Sequence, residues 1–507
     1  MPAVFQHLPR KVMTTSPPVS ADAAGAQKLR RSLKARHMYM IAIGGSIGTG
    51  LFVASGATVA NAGPGGALLA YALIGFMVFL LMQSLGEMAT YIPLAGSFGE
   101  YGRRFVSPSF GFALGWNYWY NWAITVAAEL AAAALVMKYW FPDTPGWIWS
   151  AIFLALLFGL NALSARAYGE GEFWFALIKV AIVIFFLILG VLMIAGILGG
   201  GSPGLSNWTL AGPDGEKAPF VNGAAGILSV FMIAGFSFQG TELVAVAAGE
   251  AEDPDKNVPK AIRTVFIRIL LFYIGAITVI GFLIPFTDSR LLDSSEDNIA
   301  VAPFTLVFDN AGILAAAAIM NAVILTSILS AGNSGLYAST RMLYALAKSG
   351  QAPKIFASLN SRGVPMPALL ATTAIGAACF ISSLIGDGAA YTWLVNASGL
   401  AGFITWMGIA WCHYKFRKAF VAQGHDVSEL PFKAALFPLG PIVALVMCAV
   451  VVAGQNLEVY TGHIELGTLI SAYIGLPLFL ALWWGHKLVT KSSAIAPEDA
   501  NLTRDMH

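Results

Sequence analysis

Charge is what this chain most conspicuously lacks: Asp, Glu, Lys and Arg make up 11% of its 507 residues, while 57% are hydrophobic. A soluble globular protein carries about 25% charged residues. A soluble protein of this length could not cover its surface from so small a supply, so the composition excludes that class and points to a chain solvated by lipid. Cysteine is nearly absent too. The three present (Cys379, Cys412 and Cys448) fall in apolar segments without metal-ligand spacing, which argues against a disulfide framework and a zinc site. There is no phosphate-binding glycine loop, no His-Glu metal motif and no paired nucleophile and base, so no enzyme chemistry and no cofactor is expected. The net charge of +2 carries no nucleic-acid signal, because the basic residues are scattered through short loops. Residues 1–36 are polar and basic with no apolar core, so they read as a disordered tail rather than a cleavable signal peptide.

What is abundant fits the same solvent. The 53 glycines and 13 tryptophans match the enrichment of Gly in membrane helices and of Trp at membrane interfaces. Apolar runs of spanning length, roughly 17–25 residues, occur at 39–61, 67–92, 110–137, 147–164, 174–199, 223–249, 264–286, 303–335, 367–386, 391–412, 435–455 and 466–487. Twelve runs with short connections predict one all-α membrane-spanning domain over 37–490, with a tail before it and another at 491–507. If the N-terminus is cytoplasmic, all but four of the 29 Lys and Arg fall on that side. The exceptions are Lys138, Lys217 and Arg290 outside and Lys179 within a run. That bias predicts cytoplasmic termini and an even helix count.

Two runs do not read as ordinary helices. The first contains Gly44-Gly45-Ser46-Ile47-Gly48-Thr49-Gly50, and the sixth contains Gly235-Phe236-Ser237-Phe238-Gln239-Gly240-Thr241-Glu242. Each glycine costs a helix roughly 1 kcal/mol relative to Ala, and irregular backbone at that depth is tolerated only when it is buried or lines a cavity. Taken singly, the first run could equally be a GxxxG packing motif through Gly44 and Gly48. As a pair the runs occupy corresponding positions in two five-helix halves, the strongest sequence pointer to a transporter's binding site. Unwound amides can hold a carboxylate and unwound carbonyls an α-ammonium. The expected substrate contacts are therefore Ser46, Ile47, Gly48, Thr49 and Gly50 from the first run. From the sixth they are Phe236, Ser237, Phe238, Gln239 and Glu242, with Asn333 added from the eighth run.

Ionisable groups at mid-depth cost on the order of 3 kcal/mol each and need a partner or a task. Tyr118, Trp122, Thr125 and Glu129 recur at i, i+4, i+7 and i+11, on one helical face. An aromatic pair followed by a carboxylate suits a cationic side chain; the bland alternative is an interfacial anchor beside an unrelated acid. Glu242 closes the second interruption and could gate, take a proton or meet the substrate. Glu250 reads equally as a helix end or as a gating group, and Glu87 as structural. Lys179 could snorkel to the surface or be a buried amine that alternates between charged and neutral forms, coupling transport to protons.

Leu33-Lys34-Ala35-Arg36-His37 leading into Ile43-Gly44-Gly45-Ser46-Ile47-Gly48-Thr49-Gly50-Leu51-Phe52 resembles the start of the bacterial amino acid transporter family, within the amino acid–polyamine–organocation superfamily. Ala62-Gly63-Pro64, Ser84-Leu85-Gly86-Glu87-Met88, Gly115 to Trp122, Gly249-Glu250-Ala251-Glu252-Asp253-Pro254 and Ala338-Ser339-Thr340-Arg341-Met342-Leu343 extend the likeness over residues 30–490. Trp140 to Trp149 and Gln423-Gly424-His425-Asp426 are similar to the lysine-specific branch. The resemblance implies a five-plus-five inverted repeat with discontinuous helices 1 and 6, followed by two further helices. It also implies alternating access and proton-coupled uptake of lysine through a bacterial cytoplasmic membrane, with no cofactor. By position it assigns Tyr118, Trp122, Glu242 and Glu250 to substrate binding or coupling, and Lys179 to the place where sodium-coupled relatives bind a cation. Arginine, histidine, or a neutral or aromatic amino acid stays open as substrate, as does a sensing role with a membrane regulatory protein.

Overall fold

The computed structural model describes residues 33–45, 47–94, 96–213, 215–293, 302–310, 314–455 and 466–504. Ser46 and the tail over 1–32 therefore lie outside the described residues. Among the described residues there are helices and isolated bridges but no strand.

The chain opens with α1 (Ala35–Gly44), a break, and a one-turn α2 (Thr49–Phe52). There follow α3 (Ser55–Tyr91), α4 (Ser97–Phe105), α5 (Pro108–Met137), α6 (Gly146–Leu163) and α7 (Ala165–Ile194). A second interrupted rod comprises α8 (Gly223–Phe238) and α9 (Leu243–Ala248). Next, α10 (Pro254–Arg268) passes through a π-helical stretch, Ile269–Ile274, into α11 (Gly275–Leu283). Two short helices, α12 (Ser289–Asp293) and α13 (Pro303–Asn310), precede the long α14 (Leu314–Lys348). The remainder is α15 (Met366–Gly376), α16 (Ser382–Ile385), α17 (Asp387–Ala422), α18 (Leu439–Gly454), α19 (Leu466–Tyr473) and α20 (Gly475–Thr490).

Among the described residues, nine helical segments are long and apolar enough to cross a membrane, and α18 is a shorter apolar helix. Their outward faces carry Leu156, Phe185, Ile188 and Val191 exposed, while polar groups such as Asn117, Thr125 and Glu129 are buried. This inversion of the soluble pattern is what a lipid solvent demands.

Several boundaries differ from the sequence expectation, for one shared reason: hydropathy marks the apolar core, whereas a helix continues as long as its backbone hydrogen bonds do. The run at 303–335 is two elements, and its long helix reaches Lys348; α17 likewise overruns its apolar run at both ends. The amphipathic α4 has no counterpart among the apolar runs. It is too short and polar to register as a span, and Arg103 and Arg104 both pair with Glu100 along its length.

Glu87 on α3 fastens the scaffold to α17. Its carboxylate accepts from Arg417 Nε at 2.6 Å, from His413 Nε2 at 3.1 Å and from the Ala434 amide at 2.7 Å. The structural reading of Glu87 holds, because its oxygens are already occupied by these donors.

At the first break α2 lies against α8 so closely that a Cβ built on Gly50 would stand 2.5 Å from Ser237 Cα. Gly50→Ala is therefore expected to push two backbones apart and cost about 1–3 kcal/mol. Thermal unfolding in detergent reads that loss directly, and an unchanged midpoint would contradict the packing.

Candidate functional site between two broken helices

Both interruptions are local consequences of composition. The first half-helix stops at Gly44, and Gly48 is extended at φ −141° before α2 begins. The second stops at Phe238, and Gly240 takes φ +98°, a conformation that a side chain would strain. Ring stacking backs this break: Phe238 lies on Tyr273 at 4.1 Å between centroids. The Tyr273 hydroxyl donates to the Ser237 carbonyl at 2.8 Å, and Tyr71 and Ser237 share a hydrogen bond of 2.9 Å. Ser237 and Phe238 thus face the packing behind the break, whereas Phe236 and Gln239 face the space in front of it.

That space is a small cavity of about 20 Å³, bounded by Gly45, Gly48, Gly50, Trp122, Thr125, Glu129, Phe236, Gln239 and Ala331. It has room for about one water, so admitting a larger guest requires the helices to part. A groove of about 470 Å³ lies elsewhere, between Phe110, Trp411 and Trp483, but its walls are apolar and no polar groups converge there.

Glu129 is the cavity's acid. One oxygen accepts from Thr49 Oγ1 at 3.2 Å; the other is buried with no hydrogen-bond partner. A Cβ on Gly48 would lie 3.1 Å from that carboxylate, so the bare backbone of the break is what lets Glu129 approach it. Beside it stand Trp122 and Tyr118, ring centroids 6.4 Å apart, whose indole N–H and hydroxyl are also buried without partners. Thr125 donates to the Asn121 carbonyl at 2.8 Å. Glu242 is held by the Gly240 amide at 3.1 Å and by Trp406 Nε1 at 3.3 Å, within electrostatic reach of the Tyr118 hydroxyl. Gln239 donates to the Gly399 carbonyl at 3.1 Å and leaves its own amide oxygen unpartnered.

Two buried cations close the end of α1. Lys179 Nζ donates to the Gly44 carbonyl at 3.0 Å, so it does not snorkel. Arg268, the last residue before the π-helical stretch, donates through Nη1 to the Ala42 carbonyl, while its Nε and Nη2 have no partner. Positive charge at a helix C-terminus is favoured by the helix dipole. Sequence reasoning singles out Lys179 but misses Arg268, which lies near the start of its apolar run.

Glu172 is missed as well. The apolar run starts at 174, but α7 begins at Ala165, and Glu172 is fully buried with both oxygens accepting from Ser330 Oγ, at 2.7 and 2.8 Å. Its spacing of seven residues from Lys179, on one helical face, is the signal that could have found it. Asn333 sits near this carboxylate rather than in the cavity wall, and its amide oxygen accepts from Asn161 at 2.8 Å. Glu250 lies farther along, hydrogen-bonded by Tyr337 at 2.6 Å and by Arg341 at 2.9 Å. Ile47 is buried in the break.

In the described interior, Glu87 is matched by Arg417, Glu250 by Arg341, and Arg104 by Glu100. Around the breaks three carboxylates, Glu129, Glu172 and Glu242, face two fixed cations, Lys179 and Arg268. Buried carboxylates without a partner are costly.

The relatives of this chain are transporters. Residues 37–494 match the family described as amino acid permease. The chain is 60% identical to a lysine-specific permease of Escherichia coli over 466 residues, covering 92% of this chain and 94% of that protein. It is 52% identical to a lysine-specific permease of Lactococcus lactis (96% and 95% covered) and 47% identical to a histidine permease of the same species (94% and 99%). A crystal structure of a manganese transporter mutant from Eremococcus coleocola shares the fold, with a TM-score of 0.54 at 15% identity, over 90% of this chain and 94% of that one.

Proposed function

The chain belongs to the amino acid permease family, and on that premise we propose that it imports L-lysine across a bacterial cytoplasmic membrane by proton-coupled alternating access. It is a multi-pass membrane transporter and not an enzyme. The observation that carries the lysine reading is the unmatched carboxylate: three buried acids against two fixed cations, with one oxygen of Glu129 unpartnered beside the cavity. An ε-ammonium supplies the missing charge, and the faces of Trp122 and Tyr118 favour a cation next to it. A neutral amino acid would leave the charge unmatched. The two lysine-specific relatives support the same reading, and the histidine permease keeps a second cationic substrate as its nearest rival.

On this reading the α-carboxylate of the substrate meets the amides of Ile47 to Gly50, and its α-ammonium meets carbonyls of the two breaks. Phe236 and Gln239 close over it, and Glu242 gates. Twelve spans form a five-plus-five inverted repeat with two added helices, and both termini face the cytoplasm, the side to which the basic residues belong. Lys179 couples the cycle to protons: charged, it grips the Gly44 carbonyl and holds α1; neutral, it lets α1 swing.

Uptake of labelled lysine into proteoliposomes under an imposed pH gradient tests the reading. Wild-type protein is expected to accumulate lysine and to lose it on addition of a protonophore. Lys179→Gln is expected to exchange lysine but not accumulate it; accumulation by that variant would remove Lys179 from the coupling step.

A further inference from the structure

Two facing stripes of polar side chains run from the site toward the end of the bundle where α7 starts and α14 finishes. On α7 they are Lys179, Glu172 and Tyr168, at positions i+11, i+4 and i of one helical face. On the antiparallel α14 they are Ser330, Ser334, Tyr337 and Arg341, at i, i+4, i+7 and i+11. The stripes interlock. Ser330 donates to Glu172, and Tyr168 and Ser334 share a hydrogen bond of 3.1 Å. The rings of Tyr168 and Tyr337 stack at 4.0 Å, and Tyr337 donates to Glu250, which Arg341 also binds. Each residue named is nine-tenths or more buried. In a wall otherwise built from apolar side chains, this row of polar side chains from Lys179 to Glu250 needs a use.

We propose that Glu172 is a second proton-carrying group: it takes the proton that Lys179 gives up and passes it along this seam toward the Glu250 end. The proposal rests on the proton-coupled reading of Lys179. Helical side chains lean toward the helix N-terminus, so Lys179 leans toward Glu172 along α7. The remaining polar and charged groups about Glu172 do not offer a better acceptor. His37 of α1 packs on Gly169 and faces Glu170; Glu129 of α5 is also within electrostatic reach of Lys179 but lines the cavity, where the proposed function places the substrate's ammonium; Asn161 of α6 and Asn333 of α14 are amides; Arg268 of α10 and Arg341 of α14 are donors only. In the step itself the Lys179 ammonium loses one proton to the Glu172 carboxylate, leaving a neutral amine and a neutral acid. The acid then releases that proton to water at the Glu250 end and becomes a carboxylate again. Lys179 is reprotonated from the opposite side when the break opens there. Loss of the ammonium weakens its grip on the Gly44 carbonyl, so the proton's departure and the release of α1 are one event.

The test compares two activities of the reconstituted protein. Glu172→Gln keeps the shape and can still accept from Ser330 but cannot carry a proton. It is expected to lose pH-gradient-driven lysine accumulation, reaching only the equilibrium distribution, while lysine–lysine exchange persists at saturating lysine with a raised KM, because one acid of the cluster is gone. Persisting accumulation would overturn the proposal. So would loss of both accumulation and exchange at saturating lysine in a folded variant, since that marks a structural role. Should Glu172→Gln not fold, Ser330→Ala decides: a shifted pH profile of accumulation with intact exchange supports the relay, and an unshifted profile overturns it. Lys179→Gln measured alongside separates the two readings. If it too accumulates lysine, proton coupling through Lys179 is wrong; if it alone fails to accumulate, only the role of Glu172 is wrong.

Discussion

Glu129→Gln is expected to lower lysine uptake at limiting concentration by at least about 30-fold, through a raised KM, with the protein folded and inserted as before. Glutamine keeps the hydrogen bond from Thr49 Oγ1 and the volume of the side chain, so the cavity wall is preserved. What is lost is the charge on the oxygen that has no partner. Truncating one side of a buried, hydrogen-bonded charge pair costs about 2–5 kcal/mol, and each 1.4 kcal/mol is about tenfold in affinity. Initial rates over a concentration series in proteoliposomes give KM directly. A KM within a few-fold of wild type would mean that the ε-ammonium is met elsewhere, with Glu242 next in line.

The largest stability effect is expected from Arg417→Met. It leaves Glu87 buried among α3, α17 and the Ala434 amide with only His413 beside it. Breaking a buried ion pair from one side costs about 3–5 kcal/mol, because the surviving charge has nowhere to be solvated. A marked drop in the unfolding temperature in detergent and poor recovery from membranes should follow. The paired change Glu87→Gln with Arg417→Met should recover much of the loss, since both charges then leave together. If Arg417→Met unfolds at the wild-type temperature, Glu87 does not depend on it.

The helical architecture was legible because lipid imposes long apolar runs. Both breaks were legible because glycine and polar residues clustered in mid-run interrupt a helix that lipid would otherwise keep continuous. Glu129 was found by its face: Tyr118, Trp122 and Thr125 precede it at helical spacing, and the structure brings Trp122, Thr125 and Glu129 to one cavity. Glu172 and Arg268 escaped for the opposite reason. Each sits near where an apolar run begins, and a hydropathy boundary cannot tell a loop charge from a buried one; only the extension of α7 back to Ala165, and the packing of α10 on α1, set them at the site. Asn333 illustrates a third limit: polarity on the right helix does not specify which of two neighbouring acids a side chain joins. The small helix α4 left no mark because it is short and polar and its burial depends on partners distant in sequence.

The central claim is that the space between the two breaks recognises lysine through its ε-ammonium, and competition binding against norleucine tests it most directly. Norleucine keeps the α-amino acid backbone and the aliphatic chain but lacks the terminal charge. Binding of labelled lysine to the purified protein should be displaced by unlabelled lysine and hardly by norleucine, and Glu129→Gln should erase that difference. Equal displacement by the two compounds in the wild-type protein would contradict the account.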